Sequence, residues 1–513
     1  MNRFQRAFDT TVVVSAFSYV GLGLSLFSVP LFLTTLGAEG YGLMVTVTAT
    51  MGYFSFADAG LSWGSMILIA QASGRGDKGE IAHIVRHSMV LAAGSGLIAV
   101  LALGGILVCA KAGWRLPMFA HHPEADRLMV IAGLQVAFAL QFGPFYNLFQ
   151  GLQEGYWTGI YQGLARIFGL AGAMLLAWRT RSVAAVMLIQ FVFAAAAGFA
   201  AVAHVWLRHR WVFARGSWID RAQYLVQLRV GAKNLMLQVG RTLAGTAPTM
   251  GISSIVGPAF VPLYTVPSTL LTFFLMPINS WNASMQSAYG ESWTSGSKEW
   301  TRSAFRQSLE RTLLSGGLGV GLFFALGSPF IRVWTHGRLW LGPAMAASVA
   351  AIVILSALAT GCEFLLTGLN RQRRAAFAET ANGLCALALS AVAVRWAGFE
   401  AVGAGTTAAF LLTTGWVLPR EIRAQLGPGC FPQLAFLARI CAAAAVTYAA
   451  AAWFGHMGAL ASVTEQVQRL VAGAAVGLTA FIVTAFALKL VNMQDAAAVG
   501  RRLAGYFVPL SSK

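Results

Sequence analysis

Charge is scarce in this chain. Only 11% of its 513 residues are Asp, Glu, Lys or Arg, against about 25% in soluble globular proteins. Cysteine is scarcer, and the five present (Cys109, Cys362, Cys385, Cys430 and Cys441) form no CxxC spacing. A disulfide framework or thiolate metal site is therefore not expected, and these residues read as small packing residues. Enzyme signatures are missing too: no P-loop or HExxH occurs. ATP hydrolysis is excluded and the chain is not expected to be an enzyme. His121-His122, beside Pro123 and Glu124, read as solvated loop rather than as a metal site.

What is abundant is apolar sequence: 57% of residues are hydrophobic and the mean hydropathy is +0.67. Apolar runs long enough to cross a bilayer, ~20 residues each, recur along the whole length. The fold class is thus an all-α polytopic membrane protein. Segmenting at charge clusters and Gly/Pro punctuation predicts fourteen spans. Six lie at 11–36, 43–70, 85–110, 128–151, 156–178 and 184–206; six more at 231–256, 262–285, 312–333, 343–367, 376–394 and 401–418; the last two at 434–454 and 467–490. The first run exceeds a signal-peptide core of ~7–15 residues and should stay as a span.

Basic residues test this count. With both termini cytoplasmic, 25 of the 36 Lys and Arg fall in inward loops or tails and 9 in outward ones. A miscounted span would scramble that asymmetry. The net charge of +18 therefore reads as a topology signal with attraction to anionic membrane lipids, not as a nucleic-acid footprint. Trp114, Trp206, Trp211, Trp334, Trp340, Trp396 and Trp453 lie near span ends, as an interfacial aromatic belt requires.

The longest inward connection, rich in Arg and Trp, divides the chain. Residues 1–206 are predicted to form a six-helix lobe, 207–230 a cytoplasmic linker, 231–418 a second six-helix lobe, and 419–513 a final helix pair and tail. Gly76, Lys78, Arg86 and Ser88 recur as Gly296, Lys298, Arg306 and Ser308, all at an offset of 220 residues. A parallel repeat of this kind is a standard transporter plan. Gly163, Gly169 and Gly172 allow close helix approach. Pro30, Pro144, Pro248, Pro267 and Pro277 imply kinks whose freed carbonyls need other partners.

Ionisable residues at membrane depth are the candidate functional groups, because each costs roughly 2.5–3.5 kcal/mol to insert. Asp58 lies well inside the second span; Arg166 and Arg241 lie near the middles of the fifth and seventh. One reading pairs Asp58 with Arg166 statically. The other sets Arg241 and Arg166 in a hydrated cavity as unpaired cations that attract an anion, since the guanidinium fork suits phosphate. Lys233 and Asn234 would extend that track at the entrance of the seventh span. Gln135, Gln141, Tyr146 and Asn147 line a sugar path or tie helices together. Asp58 and, towards the inner end of the tenth span, Glu363 are the candidate ion-coupling carboxylates.

The segment Pro30-Leu-Phe-Leu-Thr-Thr-Leu-Gly37-Ala-Glu39-Gly40-Tyr41-Gly42-Leu43 resembles the first outward turn of Wzx-type polysaccharide flippases, of the multidrug/oligosaccharidyl-lipid/polysaccharide exporter superfamily. Asp58-Ala-Gly60-Leu61 and the loop Gly74 to Asp77 resemble its next motifs. Thr35 departs from the pattern, which often has a basic residue there. The resemblance implies a MATE-like fold in a bacterial inner membrane. It further implies alternating-access transfer of an undecaprenyl-diphosphate-linked oligosaccharide to the outer leaflet, without a cofactor, driven by a sodium or proton gradient or by product consumption outside. Polysaccharide assembly proteins are implied partners. A lipid II flippase and a multidrug or cation antiporter of the same superfamily are the rival functions. A glycan polymerase or ligase is disfavoured by the short outward loops.

Overall fold

A computed structural model describes residues 3–53, 61–111, 124–152, 154–213, 221–294, 296–340, 342–455 and 462–491. Asp58 and the His121-His122 pair lie outside the described residues. Among those described there are sixteen α-helices and no strand. The first part of the chain contains α1 (Arg3–Thr35), α2 (Gly37–Gly52), α3 (Leu61–Arg75), α4 (Lys78–Lys111), α5 (Ala125–Gly151), α6 (Gly155–Thr180) and α7 (Val183–Arg208). The second contains α8 (Arg221–Ile255), α9 (Pro262–Thr294), α10 (Lys298–Trp334), α11 (Pro343–Gly368), α12 (Arg373–Ala397), α13 (Val402–Leu412) and α14 (Thr414–Leu426). The chain continues through α15 (Leu434–Gly455) and α16 (Val463–Ala487).

Among the described residues, twelve helical segments are long and apolar enough to cross a membrane. The other two predicted spans are locally different. The run at 43–70 is divided between α2 and α3, around residues outside the described set. The run at 231–256 lies in α8, which is too polar to qualify by composition and packs against α2, α3, α12 and α13. Outward-facing surfaces carry bare Leu101, Val108, Leu175 and Val483. That is the inverted polarity of a protein whose solvent is lipid.

Small residues set the spacing within the first part. A Cβ on Gly163 would stand 2.3 Å from the Phe17 ring, and one on Gly172 would stand 3.0 Å from Ile189. One face of α6 thereby seats α1, and the next seats α7. In the second part, a Cβ on Gly240 would lie 2.3 Å from the Glu379 carbonyl carbon, and one on Gly383 would lie 2.6 Å from the Gly240 oxygen. Helices α8 and α12 therefore cross backbone to backbone.

The two parts meet in one apolar core at the end where α1 turns into α2. Phe32, Leu33 and Tyr41 from one side pack with Tyr264, Val349 and Val402 from the other. The Thr46 hydroxyl donates to Ser253 Oγ at 3.1 Å, and the Tyr53 and Thr246 hydroxyls lie 2.6 Å apart. A Cβ on Gly42 would fall 1.8 Å from the Pro258 carbonyl oxygen, so only glycine permits this contact.

The 220-residue offset has a structural counterpart. Gly76 and Gly296 both adopt positive φ, 74° and 81°. At each, two backbone N–H groups fold back on the preceding helix: Gly76 to Ser73 and Asp77 to Ala72, Gly296 to Trp293 and Ser297 to Ser292. This is the Schellman ending that glycine favours. Of the tryptophans assigned to a belt, Trp206, Trp340, Trp396 and Trp453 are more than half exposed. Trp334 departs from that assignment: its indole N–H donates to the Leu26 carbonyl of α1. Trp114 lies outside the described residues.

Candidate functional site

A cavity of about 660 Å³ opens among α1, α5, α6 and α7. On α5 the spacing Gln135, Ala139, Phe142, Tyr146, Gln150 follows the three-to-four residue repeat of one helical face, and all five line the cavity, with Asn147 beside them. On α6 the same repeat brings in Gln162 and Arg166; α7 contributes Gln190 and Phe191. Gly21 of α1 makes room for the arginine, since a Cβ there would stand 3.2 Å from its Nε. Among the described residues, the lining has no carboxylate, and no hydrogen bond or ion pair occupies Arg166, Asn147 or the glutamines facing the cavity. Asn147 is only 9% exposed. Gln141 is different. Its Nε2 donates to the Ala92 carbonyl at 2.8 Å, tying α5 to α4. The four polar residues of this span thus divide into three that face the cavity and one strut.

The second part of the chain holds a charge cluster. Sequence reasoning places Arg241 as an unpaired cavity cation; the structure instead bonds its guanidinium to the Glu363 carboxylate of α11. The partners are 122 residues apart, beyond the reach of any local spacing rule. The Arg241 side chain remains 45% exposed while that of Glu363 is 2% exposed. Glu379, on α12, completes the group. It accepts from Thr414 Oγ1 at 2.9 Å and Asn382 Nδ2 at 3.3 Å, and also feels the charge of Arg241. The Gly240–Gly383 crossing brings these residues together, because α8 and α12 touch where Arg241 and Glu379 emerge. One guanidinium is thus bonded to the buried Glu363 and within electrostatic reach of the buried Glu379.

Glu379 escaped the sequence reading. It stands in the second turn of α12, close behind Arg371, Arg373 and Arg374, and reads as an interfacial carboxylate. A second Glu within one helical span of Glu363 was the available signal. Lys233 and Asn234 are on the first half of α8, with side chains outside the described set; Asp58 is outside it altogether. The structure brings Arg166 and Asn147 together in one cavity, and Arg241 and Glu363 in another cluster.

A family model described as polysaccharide biosynthesis protein matches residues 9–285, more than half of the chain. The chain belongs to the polysaccharide biosynthesis protein family. No match to a curated protein was found. In fold, this family member is similar to the lipid II flippase MurJ in an inward closed conformation, with a TM-score of 0.68 and 13% identity, covering 93% of this chain and 99% of that one. It is also similar to an inward-facing multidrug resistance MATE family transporter of the MOP superfamily (TM-score 0.59, 16% identity, 82% and 99% covered). A third likeness is to a MOP superfamily transporter from Pyrococcus furiosus described as having a binding pocket of reverse polarity (TM-score 0.56, 15% identity, 82% and 97% covered). The architecture of this polysaccharide biosynthesis family member is thus the MATE-like membrane fold. Both the Pro30–Leu43 motif and the Arg166 cavity fall inside the matched region.

Proposed function

We propose that this protein is a flippase that moves a lipid-linked oligosaccharide, carried on undecaprenyl diphosphate, from the cytoplasmic to the outer leaflet of a bacterial inner membrane. The single observation that carries this reading is the Arg166 cavity: on its described walls, one cation among amides and hydroxyls and no carboxylate, in a member of a polysaccharide biosynthesis family. Such a cavity replaces water around a polar, anionic head group while the prenyl tail stays in lipid. Both termini face the cytoplasm, and residues 1–206 and 231–418 act as the two lobes that rock about the linker at 207–230, with 419–513 as an appendage. The contacts at the α1–α2 turn close the outer end, so alternating access requires them to part.

The Arg241–Glu363–Glu379 cluster is where a sodium ion or proton acts, together with Asp58. Its carboxylates are too deeply buried, 2% and 5% exposed, to receive a drug-sized cation, which favours glycan transfer over multidrug antiport. Substrate lipid, bulk membrane lipids and polysaccharide assembly proteins are the partners of this reading.

Deleting the gene and measuring lipid-linked glycan in inverted membrane vesicles tests it. Accumulation on the cytoplasmic leaflet, reversed by the intact gene and by Arg166→Lys but not by Arg166→Ala, is the expected result. Unchanged lipid-linked glycan in the deletion strain overturns the proposal.

A further inference from the structure

Among the described residues, the Arg166 cavity supplies one positive charge. A polyprenyl diphosphate linked to sugar carries two negative charges, and an uncompensated charge away from water is costly. The remaining polar lining is mostly amide, Gln135, Asn147, Gln150, Gln162 and Gln190, with the hydroxyls of Ser25 and Tyr146 beside them. Amides both donate and accept, as sugar hydroxyls do, and in this site none is engaged among the described residues. Asn147 makes the point most sharply. It is nine-tenths buried, faces the cavity and has no partner there, so its hydrogen-bonding capacity is left for a ligand or water. Phe138 and Phe191 add an apolar wall, their rings meeting edge to face at 5.4 Å, on which the C–H face of a pyranose can lie.

We infer that this cavity is a sugar-reading pocket rather than a diphosphate site, and that the glycan it accepts carries one acidic group, which Arg166 recognises. This rests on the flippase reading above and narrows it to an acidic oligosaccharide. The diphosphate then stays outside the pocket, nearer the membrane surface.

The test uses the full chain in lipid nanodiscs with three probes: a glucuronate-containing disaccharide, its uncharged methyl ester, and inorganic pyrophosphate. A charge-assisted hydrogen bond is worth roughly a tenfold or greater difference in Kd, so the acid should bind about tenfold more tightly than the ester. Arg166→Gln should erase that difference; Arg166→Lys should keep most of it. Gln190→Ala should weaken both sugars together. Equal binding of acid and ester, or displacement of the acid by pyrophosphate at lower concentration than by the acid itself, overturns the inference. Thermal melting of each variant separates a binding defect from misfolding. Failure here, with lipid-linked glycan still accumulating in the deletion strain, removes the acidic-sugar assignment and leaves the flippase reading intact. Unchanged glycan in that strain removes the flippase reading itself.

Discussion

Two arginines at membrane depth have opposite surroundings. Arg166 faces amides and space; Arg241 is bonded to Glu363. Depth marks both, because an ionisable group among apolar residues is legible from the sequence alone. Pairing is not legible, because a partner 122 residues away is fixed by the α8–α11 packing. The two arginines should therefore respond differently to substitution. Arg241→Ala strands two buried carboxylates and should destabilise the protein by about 1–3 kcal/mol, the cost of leaving a buried polar partner unpaired, discounted because the guanidinium is half exposed. Adding Glu363→Gln should recover most of the loss. Arg166→Ala should leave the melting temperature nearly unchanged. Thermal melting of the purified variants decides this, and absence of rescue by Glu363→Gln would show that the pair is not the source of the stability.

Helix α1 carries a built-in vacancy in its hydrogen-bond ladder. Pro30 has no N–H, so the Leu26 carbonyl one turn earlier is unserved within the helix. The Trp334 indole of α10 supplies the donor, and Arg338 Nη1 donates to the Leu33 carbonyl in the last turn of α1 at 2.8 Å. The second half of the chain thus completes a helix of the first. The sequence marks the proline as a site needing an outside donor, yet assigns Trp334 to the lipid interface; only the packing of α10 on α1 identifies the donor. Trp334→Phe keeps the ring and removes the N–H. With a hydrogen bond worth about 1 kcal/mol, parting of the halves should become roughly fivefold more populated. In a Pro30→Ala background the helix serves Leu26 itself, and Trp334→Phe should then change little. Labelling of a Ser253→Cys variant by an impermeant maleimide, with the native cysteines replaced, reads the population. An undiminished Trp334→Phe effect in the Pro30→Ala background would rule out this coupling.

At the scale of the whole molecule, hydropathy made the all-helical membrane-spanning architecture readable, because it reports a constraint imposed by the bilayer, and the resemblance carried by Pro30–Leu43 implied its MATE-like form. The closed end was not readable. It depends on backbone approaches such as Gly42 against the Pro258 carbonyl, and a glycine in a sequence does not say what it touches. That closure carries the last prediction. Thr46 and Ser253 sit on opposite halves with their hydroxyls 3.1 Å apart, close enough for cysteines at both positions to form a bridge of about 2.05 Å between sulfurs. In a background lacking the native cysteines, the oxidised Thr46→Cys/Ser253→Cys protein should export no glycan, whereas the reduced protein and each single variant should export near the parental level. The reversal by reductant matters, because it separates a locked conformation from a damaged fold. If the cross-linked protein still exports, the halves need not part at this end, and transfer must follow a path that leaves the α1–α2 turn seated on Pro258.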